Sequence, residues 1–101
     1  MNKNLLAQVK KMQDDMAKAQ EELAGTVVTG TAAGGAITVN ATCDQRIKKV
    51  VISKDVVDVD DIEMLEDLIA VAVNDALVKA AEEQQARMAA VTGGMRLPGL
   101  F

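Results

Sequence analysis

Residues 62–91 read IEMLEDLIAVAVNDALVKAAEEQQARMAAV, and the way this stretch finds cover decides the fold. Between Leu68 and Ala81 its only polar residues are Asn74, Asp75 and Lys79. A surface helix carries one apolar stripe, whereas a helix apolar nearly all round is buried on most sides. The preceding chain offers only a helix and a small sheet as cover, which falls short, so a second copy of the chain is the expected remainder. On this reading Leu65, Leu68, Ile69, Val71, Ala72, Val73, Ala76 and Leu77 form a homodimer interface.

The totals agree. At 101 residues the chain makes one domain, and half its residues are hydrophobic, so it is globular rather than disordered. Phe101 is its single aromatic residue. A core of Val, Leu, Ile, Met and Ala buries less area per residue than one with aromatics, which again favours an oligomer. The net charge of −4 is unevenly spread. Residues 1–54 hold eight basic groups against five acidic ones, and residues 55–101 hold three against ten. Such a split can mark a half that faces a polyanion.

Outward from the long helix, the first segment shows a seam at Leu5, Val9, Met12, Met16, Ala19 and Leu23, spaced like a coiled coil and predicting a helix over 3–24. Lys3, Lys10, Lys11 and Lys18 share one flank of it, and Asp14, Asp15, Glu21 and Glu22 another. Its charges oppose the helix dipole, with lysines early and glutamates in the last turn. Lys10–Asp14, Lys11–Asp15 and Lys18–Glu22 are possible pairs in the weaker, base-first order. A local rule broken in this way points to a demand other than stability.

Gly25 is a C-cap candidate, followed by β-like runs at 26–31, 36–42 and 46–53. The short connections 32–35 and 43–45 suit hairpins, so the sheet is an antiparallel meander. Ile37, Val39 and Ala41 alternate cleanly with Thr38, Asn40 and Thr42. The third run does not alternate: Ile47 and Val51 share one parity, Val50 and Ile52 the other. This requires either a bulge near Lys48-Lys49 or cover on both faces. Asp60 with Glu63 reads as a capping box opening a helix over 61–91, with Asp75–Lys79 and Glu83–Arg87 as favourable acid-first pairs. Gly93-Gly94 ends that helix, and the tail 93–101 is apolar enough to dock. The expected class is α+β, an α-β-β-β-α subunit with a three-stranded antiparallel meander, occupying 1–101 as one domain and paired as a homodimer.

Catalysis finds no foothold. His and Tyr are absent, which removes the commonest general base, and Cys43 stands alone without a group to activate it or a disulfide partner. Without His, a single Cys cannot form a closed zinc tetrahedron, and an EF-hand loop counted from Asp58 fails at Glu63 and Ile69. Gly30 and Gly35 have the spacing of a phosphate loop, but Ala36-Ile37 stands where Lys-Ser/Thr is needed. The chain is expected to be no enzyme, with no cofactor, no metal and no small-molecule substrate. The first residues run straight into an amphipathic pattern without a signal-like apolar run, and the long helix is too short in its apolar part to span a bilayer. The expected location is cytoplasmic, with no membrane partner. Base stacking on aromatics is excluded by composition, but binding to a duplex backbone needs only spaced Lys and Arg.

Three stretches carry a family resemblance. Residues 11–23, KMQDDMAKAQEEL, look like the Met/Gln-rich first helix of the YbaB/EbfC nucleoid-associated proteins. Residues 63–69, EMLEDLI, followed by 72–76, AVNDA, resemble that family's most distinctive segment, and 93–100, GGMRLPGL, is similar to its tail. The resemblance spans essentially the whole chain. It implies a tweezer-like homodimer that binds duplex DNA in the bacterial cytoplasm through protruding helices, and a nucleoid-associated grip on phosphates with little base selection is the function expected of the chain. Carried onto this sequence, the basic positions on those helices are Lys3, Lys10, Lys11 and Lys18, with Arg87 and Arg96. Acids at 14 and 15 lie beside these lysines. The other reading is a non-catalytic module that docks a protein partner through its acidic second half.

Overall fold

A computed structural model describes residues 3–93. Helix α1 (Lys3–Ala24) leads into strands β1 (Val27–Ala32), β2 (Ile37–Thr42) and β3 (Arg46–Ile52), and helix α2 (Ile62–Gly93) ends the described residues. The sheet is an antiparallel meander in the order β1-β2-β3. β1 begins and ends a residue later than its pattern suggested, and the tail beyond Gly93 lies outside the described residues.

Both hairpins turn through backbone in the left-handed region. Ala33, Gly34 and Gly35 have φ of 54°, 65° and 97° between β1 and β2, and Gln45 has φ 71° before β3. In β3 the register supplies the missing alternation. Asn40 faces Lys49 while Ala41 faces Ile47, leaving Lys48 as the extra residue of a bulge. Ile47 and Val50 therefore share the apolar face of the sheet, although three positions separate them.

That face meets α2. Ile37, Val39, Ala41 and Ala32 are buried with Ala72 and Ala76, and Leu65, Leu68, Ile69 and Val73 pack around them. Burying an Ile or Val side chain in this way is worth about 1.5–3 kcal/mol each. The helix comes unusually close at Gly30: a Cβ there would fall on the backbone of Ala72 and Ala76, 2.8 Å from the Ala76 Cα. The expected shortage of cover for α2 is thus partly corrected. Ala72 and Ala76 are fully buried within one chain, because a glycine on β1 lets small side chains lie flat on the sheet, and Ala80 is fully buried further along the helix.

The cap of α2 also differs from the sequence reading. Asp61, not Asp60, accepts the Met64 N–H at 3.2 Å, while the Asp60 N–H is held by the Asp58 carboxylate in a tight turn. The acid that directly precedes the first helical residue is the one positioned to cap.

α1 does not pack on the sheet's apolar face. It lies along α2, with Ala19 and Leu23 buried and Met12 and Met16 half-buried. On α2 the matching residues are Ala80, Gln84, Met88 and Val91, so burial runs backwards along α1 and forwards along α2, as in an antiparallel pair. The base of this two-helix arm is tied to the sheet by the Cys43 N–H, which donates to Leu23 O and Thr26 O. The result is long and thin: 68 × 24 × 17 Å, with a radius of gyration of 19.4 Å against about 13 Å for a compact chain of this length.

Candidate nucleic-acid interface

The seam of α1 is used only in its second half. Leu5, Leu6 and Val9 stay exposed, and so do Lys3, Lys10, Lys11 and Lys18. These four cations therefore line an arm reached from solvent. Of the three base-first pairs the sequence offered, Lys11–Asp15 forms, at 2.8 Å, and that hydrogen bond holds the Lys11 ammonium above its ordinary pKa. Lys18 loses its prospective partner, because Glu22 turns instead to Arg87 of α2. This cross-helix pair also displaces the expected Glu83–Arg87 pair. Arg87, nominated for DNA, is thereby engaged in joining the arm's two helices. Arg96 lies outside the described residues.

The eight residues expected at a dimer interface separate into three groups. Ala72 and Ala76 are buried beneath the helix against β1 and cannot meet a partner. Val71 is exposed on the flank that carries Asp75. Leu65, Leu68, Ile69, Val73 and Leu77 are half-buried. Among these, Ile69, Val73 and Leu77 recur every four residues and so share one side of α2.

Which side that is follows from two polar contacts. Asp75 accepts the Thr31 N–H at 2.9 Å, and Lys79 donates to Thr29 O at 3.1 Å while pairing with Asp75 at 3.1 Å. These residues therefore hold α2 over the outer border of β1. The Thr31 N–H, with Lys79 second, keeps the Asp75 carboxyl below its usual pKa. Ile69, Val73 and Leu77 lie round the other side of α2, towards β3, where the Gln45 side chain reaches Leu77 O at 3.5 Å.

There α2 stops short of the third strand. Ile47, Val50 and Ile52 face the same way as the buried core of β2, yet remain 42%, 40% and 37% exposed. An apolar trough results, floored by β3 and walled by Ile69, Val73 and Leu77. The floor was absent from the sequence-derived interface, although the broken alternation of 46–53 was its signal. The opposite face of the sheet is mainly polar, with Thr29, Thr31, Thr38, Asn40, Thr42, Arg46 and Lys49 beside the exposed Val27 and Val51.

Cys43 is buried in the β2–β3 turn. Burial, followed by Glu83 and Asp44, raises its thiol pKa, which disfavours the reactive thiolate. Among the described residues no cluster of His, Cys, Asp and Glu fits a metal ion, and no helix is long and apolar enough to cross a membrane.

Comparison with known proteins supplies the context for this geometry. A family model described as the YbaB/EbfC DNA-binding family matches residues 1–95. A nucleoid-associated protein of Acetivibrio thermocellus is 52% identical over 99 residues, covering 97% of this chain and 88% of its own length. One from Chloroflexus aurantiacus is 50% identical over 102 residues, with full coverage of both chains. A crystal structure of an uncharacterized protein from Helicobacter pylori superposes with a TM-score of 0.72 at 18% identity, covering 85% of this chain and 91% of that one, which establishes likeness of fold.

Proposed function

The chain belongs to the YbaB/EbfC DNA-binding family, and from that premise we propose that it is a nucleoid-associated homodimer gripping the phosphate backbone of duplex DNA with little sequence selection. The observation carrying this is the row of exposed lysines, Lys3, Lys10, Lys11 and Lys18, on a helix whose free half has no packing role within one chain. Phosphate contacts position a protein on a duplex without reading its sequence, and flexible lysines suit that task.

The homodimer rests on the trough. A strip of Ile47, Val50 and Ile52 beside Ile69, Val73 and Leu77 suits the matching strip of a second copy, and closing it in a two-fold manner would set two arms on one particle. The nucleoid, in the cytoplasm, is the corresponding location.

Salt titration of duplex binding tests the reading. Each lysine–phosphate contact steepens the slope of log affinity against log salt by about 0.9. The double change Lys10→Glu with Lys11→Glu is expected to flatten the slope by about two units per chain at most and to weaken binding at moderate salt. An affinity unchanged by salt, or by these substitutions, refutes the arm as the phosphate grip.

A further inference from the structure

The positive excess of the first half of the chain does not reside on the arm. Helix α1 carries Lys3, Lys10, Lys11 and Lys18 against Asp14, Asp15, Glu21 and Glu22, and so is neutral overall. Residues 26–54 carry Arg46, Lys48, Lys49 and Lys54 against Asp44 alone. In an acidic protein this is the one segment of nearly unmixed positive charge, and it is the sheet.

We propose that the open face of the sheet, centred on Arg46 and Lys49 with the exposed Lys48 at the bulge between them, is a second binding surface for the phosphate backbone of duplex DNA. The inference rests on the DNA-binding reading above and adds to it a site separate from the arm.

Three features of the fold support it. The bulge at Lys48 allows Ile47 and Val50 both to face the trough while Lys49 faces the other way with Asn40. Without the extra residue, strict alternation would turn either a lysine or an isoleucine to the wrong side. Next, these cations have no competing partner: among the described residues none of Arg46, Lys48, Lys49 and Lys54 forms an ion pair, and all four are exposed. Lys11 and Arg87 on the arm, by contrast, are already paired with acids.

The third feature is the company they keep. Most neighbouring side chains on this face are small hydrogen-bonding groups, with Val27 and Val51 exposed among them. Thr29 Oγ1 donates to Asn40 Oδ1 at 3.0 Å, which leaves the Asn40 amide NH2 as a donor without a partner among the described residues. Lysines on an edge strand also discourage stray strand pairing. That role needs cations at the border, however, and does not require Arg46 and Lys49 beside a floor of Thr and Asn. Because of the bulge, Arg46 and Lys49 face Thr42 and Asn40, two positions apart on β2, and so lie about 7 Å apart at about 3.4 Å per residue. A duplex bears one charge per about 1.7 Å of its axis, so cations in a strip of that length each find a phosphate.

The experiment compares three full-length proteins on one long duplex: the wild type, the arm variant Lys10→Glu/Lys11→Glu, and the sheet variant Arg46→Ser/Lys48→Ser/Lys49→Ser. Affinity is read by fluorescence anisotropy across a salt series. The sheet variant is expected to lose between about two and three units of slope per chain, at about 0.9 per contact, and to bind at least about tenfold more weakly at moderate salt. A wild type that does not bind the duplex overturns the proposed function itself. A wild type that binds, with a sheet variant of equal slope and affinity, overturns only this inference. Should the sheet variant misfold, acetylation footprinting of the wild type decides. Lys48 and Lys49 protected by duplex support the site; protection confined to Lys10 and Lys11, or protection of Lys48 and Lys49 by anionic vesicles but not by duplex, refutes it.

Discussion

At Gly30 a single hydrogen atom sets how closely a helix can approach a sheet. A methyl group there would meet the backbone of Ala72 and Ala76, which cannot swing aside as a side-chain tip can. Gly30→Ala is expected to destabilise the fold by about 1–3 kcal/mol through overpacking, measured as a lower midpoint in urea unfolding. Asp75 acts at the same contact through charge. Its pKa is depressed in the folded chain, chiefly by the Thr31 N–H and then by Lys79. Its stabilising contribution is therefore complete above the unfolded carboxylate pKa of about 3.9 and is lost as the pH falls through the lower folded value. Asp75→Asn is expected to melt below wild type at neutral pH, with the difference closing in strong acid; an equal deficit at every pH refutes the ionic role. Neither role could be read from the sequence, where Gly30 resembled part of a phosphate loop and Asp75–Lys79 an ordinary i, i+4 pair. Both depend on β1 lying under α2, which periodicity alone does not reveal.

Elements were more legible. The seam of α1, the two hairpins and the bulge follow from spacing and turn residues, because those patterns express local geometry directly. The pairing of charges does not, since it depends on which helices meet. Glu22 was four residues from Lys18, yet the structure gives it to Arg87, sixty-five positions away. This exposed pair is worth at most about 1 kcal/mol, so Glu22→Gln is expected to change the melting temperature little. It should instead strengthen duplex binding, by releasing Arg87 and removing an acid from the arm; weaker binding in the same salt titration would assign Arg87 a purely internal role. The sequence placed the candidate phosphate grip on α1 through a family likeness, whereas the sheet's charge became visible only once the strands were assigned their faces.

The whole molecule is an arm on a platform, with apolar surface left uncovered where the two meet. That surface is split between β3 and α2, so the periodicity of one helix reveals only the α2 side of it. Val50→Lys with Ile52→Lys places charge in the trough floor and is expected to yield a folded single chain by analytical ultracentrifugation at micromolar concentration, where the wild type is expected to sediment as a dimer. The same variant should bind duplex with a shallower salt slope, because one particle then presents half the cations. A dimer that survives both substitutions locates the contact elsewhere.

Asp75 and Lys79, described above as anchors for α2, have a further effect on growth. Their side chains occupy the outward-pointing N–H of Thr31 and C=O of Thr29, so an incoming strand would have to displace both contacts to pair at that border of the sheet. A platform that can accept a neighbour on one margin alone adds one and then stops. Crowded along a chromosome, such a protein should accumulate as discrete particles and resist polymerising into fibres.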